Sequence, residues 1–132
     1  MKKLFLILAF TLTTLFSFAQ DKPFYMRAET FELGSKDSSG NIVWDESTIK
    51  SCDILIKLEN KEAVIYSSTR QIYHVISYEG KEDGISKWYC SDDKGRYCNI
   101  YLSDSKNNPG KLALIVEFSD YLWGYICKPT NY

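Results

Sequence analysis

Histidine occurs once in the 132 residues, at position 74, proline three times and methionine twice. The chain has no C-x-x-C pair, no G-x-S-x-G elbow, and no G-x-x-x-x-G-K-S/T or G-x-G-x-x-G phosphate cradle. Those absences remove the sequence signatures of thiol redox exchange, the α/β-hydrolase nucleophile and nucleotide binding. Charge of one sign is also lacking, with 16 Lys and Arg against 17 Asp and Glu. The basic residues are scattered, which argues against a nucleic-acid partner. Helical stripes with a 3.6-residue period are missing after the first nineteen residues. No apolar run beyond them is long enough to cross a membrane as a helix.

What is present begins with a leader. Met1-Lys2-Lys3 is a positive start, residues 4–18 are an apolar run, and Ser17-Phe18-Ala19 sets small residues at −3 and −1 of a cleavage point before Gln20. This order of charge, apolar core and small residues predicts a signal peptide over 1–19 and a single β domain over 20–132. The residue directly after the cut is Gln20 and not cysteine, which disfavours a lipid anchor. Removing Lys2 and Lys3 leaves 14 bases against 17 acids, a mature charge of −3. The predicted location is exported, periplasmic or extracellular, with no transmembrane span left after cleavage.

The mature region is rich in Tyr, Ile, Val, Trp and Thr. Short alternating runs are punctuated by turn residues every eight to twelve positions, which predicts an all-β fold. The runs are 24–33, 41–45, 51–59, 62–67, 70–79, 85–91, 96–103, 111–118 and 121–128. Eight or nine short strands joined by short loops predict an antiparallel meander. The expected form is a curled sheet, a small barrel or a sandwich. In 51–59, Cys52, Ile54, Ile56 and Leu58 fall on one face, the core face at a period of two. In 85–103, Asp92-Asp93-Lys94-Gly95 fits a type I turn with a glycine bulge, which sets Asp92 opposite Arg96 and Cys90 opposite Cys98.

Cys52, Cys90, Cys98 and Cys127 are an even set in an exported chain and predict two disulfides, Cys90–Cys98 and Cys52–Cys127, stapling the sheet. A hydrogen-bonded register at the first pair counts against it. An inward Cys127 would turn Tyr121, Trp123 and Tyr125 inward as well, with Leu122 and Ile126 outward. Tyr121, Trp123 and Tyr125, extended by Tyr97 and Tyr101 where they share a face, are the predicted ligand or partner contacts, since such rings have apolar bodies and polar tips. Core and cross-strand packing is the competing role for these rings.

No catalytic residue, metal site or cofactor is predicted. His74 shares its run with Ile72, Ile76 and Tyr78 and reads as a structural imidazole. Asp92-Asp93 reads as turn chemistry. Residues 37–41 (Asp-Ser-Ser-Gly-Asn) lack the ligand order of a calcium loop. The predicted function is a binding module for a small ligand, a glycan or an envelope protein. The alternative is a protein-binding inhibitor or envelope-assembly factor, touching its partner through loops 34–40, 80–84 and 104–110. A hydrolase is the third reading.

The S-F-A-Q end of the leader, after a Phe- and Leu-rich stretch, resembles leaders of Bacteroidota. The strand pattern resembles that of small exported proteins, and the size and fold class are comparable to those of exported lysozyme inhibitors. These resemblances imply export and a β domain; they carry no activity onto particular residues.

Overall fold

The computed structural model describes residues 23–130, so the leader over 1–19 lies outside the described residues. Eight strands follow one another: β1 (Phe24–Lys36), β2 (Ile42–Leu58), β3 (Glu62–Ile65), β4 (Gln71–Glu82), β5 (Ile85–Asp92), β6 (Tyr97–Asp104), β7 (Leu112–Glu117) and β8 (Tyr121–Pro129). No helix occurs among the described residues. Each strand pairs antiparallel with the next, and β1 also pairs with β8, from Met26 opposite Pro129 to Ser35 opposite Tyr121. One sheet therefore closes on itself. Every strand has two neighbours, although β2 meets β3 only over Ile56–Leu58, so its stretch before Ile56 is paired on the β1 side alone. This corrects the sandwich alternative, which needs two sheets.

The turns explain why the strands meet in this register. Asp37 and Asp92 head two turns of the same construction. The Oδ1 of Asp37 accepts from the amides of Ser39 and Asn41, and the Oδ1 of Asp92 from those of Lys94 and Arg96, all at 2.8–2.9 Å. The residue three places on is Gly40 or Gly95, at φ of 82° and 78°, a conformation side chains resist. Asp37 thus caps backbone amides where a calcium loop would bind a cation. In β5–β6 the expected register holds, with Cys90 opposite Cys98.

The runs expected at 41–45 and 51–59 are one strand in the structure. Between Leu33, opposite Asp45, and Phe31, opposite Lys50, β2 carries extra residues that bulge out of the ladder. Side chains absorb the loose backbone groups. The Leu33 amide donates to Thr48 Oγ1 at 2.8 Å, and that hydroxyl donates to the Asp45 carbonyl at 2.6 Å. Pairing with the long β1 continues on both sides of the bulge, so β2 reaches 17 residues.

Inside, the sheet is filled by alternate residues. Met26, Ile56, Ile65, Ile100, Leu114 and Val116 are at most 1% exposed. A closed sheet of this strand number has an interior that side chains can fill or that can hold one small ligand. Outside, the Trp44 indole lies across two strands. Gly34, its cross-strand partner, and Gly124 on β8 would each place a Cβ 3.0 Å from the ring. Leu122 faces outward as expected but is fully buried, because it pairs with Gly34 beneath this covered patch.

The two predicted disulfides are not formed, and all four cysteines are free thiols. Cys52 and Cys127 sit on strands flanking β1 from opposite sides, about 9–10 Å apart at two strand spacings, beyond the ~7 Å a bridge can close. The Cys52 thiol instead points to the Ala28 carbonyl at 3.5 Å, and Ala28 is the partner of Cys127. Cys90 and Cys98 are true partners. The Asp92 amide donates to the Arg96 carbonyl, and by alternation the Cys90–Cys98 pair is also hydrogen-bonded, which holds its side chains apart. Burial pushes the Cys90 thiol up to about 11, and burial first, with neighbouring thiols and acids, pushes Cys98 and Cys127 up to about 12. Such thiols are protonated at neutral pH and poor nucleophiles. Denatured without reductant, the protein is expected to take up four equivalents of iodoacetamide by intact mass, and the native protein to react far more slowly. Uptake of two or none on denaturation would show that a bridge forms.

Candidate functional site

The loops β3–β4, β5–β6 and β7–β8 lie at one end of the closed sheet. There a cleft of about 550 Å³ opens into the interior. Its walls are aromatic: Phe31 from β1, Tyr73 from β4, and Trp123 and Tyr125 from β8. Phe31 and Tyr125 pack at 5.5 Å between centroids. The lip is polar and comes from Thr69, Arg70 and Gln71 on one side and Asp92, Asp93, Lys94 and Arg96 on the other.

Most acceptors of the cleft are already occupied. Asp92 Oδ1 receives the two turn amides, and Oδ2 receives Arg96 Nε at 2.8 Å. Asp93 Oδ1 lies 3.2 Å from His74 Nε2. The Tyr73 hydroxyl donates to Gln71 Oε1 at 2.6 Å, and Gln71 Nε2 donates to Ser67 Oγ at 3.1 Å. Several donors are not occupied. Arg70 and Lys94 have no carboxylate partner among the described residues. The buried Trp123 Nε1 makes no aligned hydrogen bond. Burial raises the Tyr125 hydroxyl pKa, partly offset by Gln71 and Trp123 nearby, so proximity to the indole exists without hydrogen-bond geometry.

The predicted contact residues divide between two faces. Tyr125 is buried, Trp123 is half-buried against the core, and Tyr121 is exposed at the strand start. Tyr121 stacks on Phe118 and Trp123 at 5.2 and 5.9 Å, and its hydroxyl accepts from Arg96 at 3.0 Å. The Arg96 guanidinium lies 4.9 Å over the Phe118 ring. Tyr97 and Tyr101 do not extend this cluster. Cys98, Ile100 and Leu102 point inward, and Tyr97 and Tyr101, at the alternate positions, point outward. Tyr97 stacks on Tyr89 at 5.6 Å. Tyr101 donates to Glu117 Oε1 at 3.1 Å, and burial, then Glu117, pushes its hydroxyl up to about 12.

Sequence reasoning missed Phe31, Tyr73, Arg70, Lys94 and Arg96 as a group. They come from four different strands or turns, and no spacing in the chain links them. The one available signal was the β5–β6 turn, whose register sets Arg96 beside Asp92.

His74 and Asp93 form an exposed pair on the outer surface. Ser91 is the cross-strand neighbour of His74, and the side-chain hydrogen bond of His74 goes to Asp93. Among the described residues no group of three or more His, Cys, Asp or Glu could hold a metal ion, and no helix is long and apolar enough to cross a membrane.

A second concavity, about 790 Å³, lies on the outside between the β2 bulge and the β6–β7 loop. Its floor is Ala113, Ile115, Gly124 and Ile126, with Trp44 and Ile49 on one wall and residues 103–108 on the other. No family model matches this chain, and neither a curated protein nor a solved structure matches it.

Proposed function

We propose that this protein is an exported binding module without catalytic chemistry, a small barrel whose mouth cleft takes a small ligand. The observation that carries the reading is the unequal accounting of the cleft. Four aromatic rings form a preformed apolar wall, and Trp123 Nε1 at its base and the Arg70 and Lys94 cations at its lip have no hydrogen-bond or carboxylate partner among the described residues. Apolar concavities with a few convergent polar groups are the usual form of small-molecule sites. Buried or confined donors gain when a ligand supplies acceptors, because leaving them unmet costs free energy. The leader supports export.

A second reading, a partner-binding module, draws on the outer groove, where Trp44, Ile49, Ile115 and Ile126 line one apolar channel beside the 104–110 loop. One experiment separates the two. Amide shifts of isotope-labelled protein are followed during titration with a library of small aromatic acids, amines and sugars. The mouth reading expects shifts at 69–73, 92–96 and 123–125 with at least one compound. Shifts confined to 103–108 and 113–115, or none with any compound, would overturn it.

A further inference from the structure

We propose that the mouth cleft selects an anion attached to a flat apolar body, such as an aromatic carboxylate or sulfonate. This deepens the mouth reading and rests on it. The lip supplies three cations, Arg70, Lys94 and Arg96, against two carboxylates. Asp92 is spent on Arg96 and two backbone amides, and Asp93 faces His74. The lip is therefore one charge positive, and Arg70 and Lys94 are its cations outside any ion pair among the described residues. The wall itself is made of rings, with the Trp123 Nε1 donor unmet. A neutral sugar would meet the donors but leave the positive charge of the lip uncompensated. A bare inorganic anion would meet the cations and leave the aromatic wall wet. A planar acid satisfies both, the acid pairing with Arg70 or Lys94 and the ring stacking on Phe31, Trp123 or Tyr125.

The test uses two probes that differ by one group. The first is 1-anilinonaphthalene-8-sulfonate, and the second is N-phenyl-1-naphthylamine, the same rings without the sulfonate. Affinities are measured for the wild-type protein and for R70Q/K94Q, whose altered side chains are exposed. The wild type is expected to bind the sulfonate roughly 10-fold or more tightly than the neutral probe. The double substitution is expected to weaken the sulfonate roughly 10-fold and the neutral probe less than about twofold, and the sulfonate gap should narrow as salt rises. Equal affinity for both probes, or a sulfonate affinity unmoved by R70Q/K94Q, overturns the charge selectivity. Amide shifts of isotope-labelled protein report where the probes sit. Equal binding with shifts at 69–73, 92–96 and 123–125 leaves the mouth site standing and removes only the selectivity. Binding of either probe without shifts there removes both.

Discussion

Leu114→Ala is expected to destabilise the protein by about 3 kcal/mol, whereas Ile115→Ala, one residue on, costs about 1 kcal/mol or less. Leu114 is 1% exposed and belongs to the interior cluster, facing Leu102 on β6 and Tyr125 on β8. Truncating it removes transfer free energy and leaves a cavity, because a closed sheet cannot draw in around the gap without breaking its ladder. Ile115 is on the outer face beside Tyr101 and Gly124, where water can fill what is lost. The measurement is thermal or urea unfolding of both variants. A loss of this size lowers Tm by roughly 10–20 °C in a domain of this length. Equal losses at the two positions would show that β7 does not alternate about the interior as described.

Asp92→Ala is the second large effect, about 2 kcal/mol of stability. The substitution strips acceptors from the Lys94 and Arg96 amides and from Arg96 Nε in one step. Asp92→Asn keeps an oxygen for the amides and loses only the charge, so its cost is smaller. The pair also carries a pH signature. Burial pushes the Asp92 carboxyl up, but the Arg96 amide, the Arg96 side chain and the Lys94 amide together outweigh it and hold the pKa below the ordinary range. A depressed folded value means the stabilisation is fully present above the ordinary Asp pKa of about 4 and is lost as pH falls through the folded value. The stability gap between wild type and Asp92→Asn is therefore expected to be flat from pH 7 to 5 and to shrink in acid. A gap that grows on acidification would mean the carboxylate is not the stabilising form. The same substitution also frees Arg96 at the cleft lip, so ligand affinity and stability should be measured on it together.

The strands were largely legible because their signals are local. Alternation over Cys52, Ile54, Ile56 and Leu58 named a core face that the structure reproduces, with Ile56 fully buried. The Asp92–Gly95 turn set its own register, since one aspartate and one glycine at that spacing close the backbone in a single way. The 41–45 and 51–59 runs were split at residues 46–50, where the pattern breaks. Pairing with β1 resumes across that bulge, and a partner strand is something no local window contains.

The disulfides show how an even cysteine count overreached. It suggested bridges from compartment alone, while bridging depends on the distance between strands. Cys52 and Cys127 do share the interior, as their faces required, yet β1 stands between their strands. The aromatic stripe failed in a related way. Tyr97 and Tyr101 follow the period of β6 correctly and for that reason point away from Trp123 and Tyr125.

By itself the sequence determined the all-β class, the order and most of the turns of the meander, and which residues turn inward in the runs 51–59, 85–103 and 121–128. Those properties depend on backbone preferences and side-chain alternation within a few residues. Only the tertiary structure decided that β1 meets β8, that Trp44 lies on Gly34 and Gly124, and that the cysteines remain apart. It alone brought Phe31, Arg70, Tyr73, Lys94 and Trp123 around one cleft. Ring closure is a contact between the two ends of the described chain, and the site at its mouth exists because closure carries residues nearly a hundred positions apart to the same few ångströms.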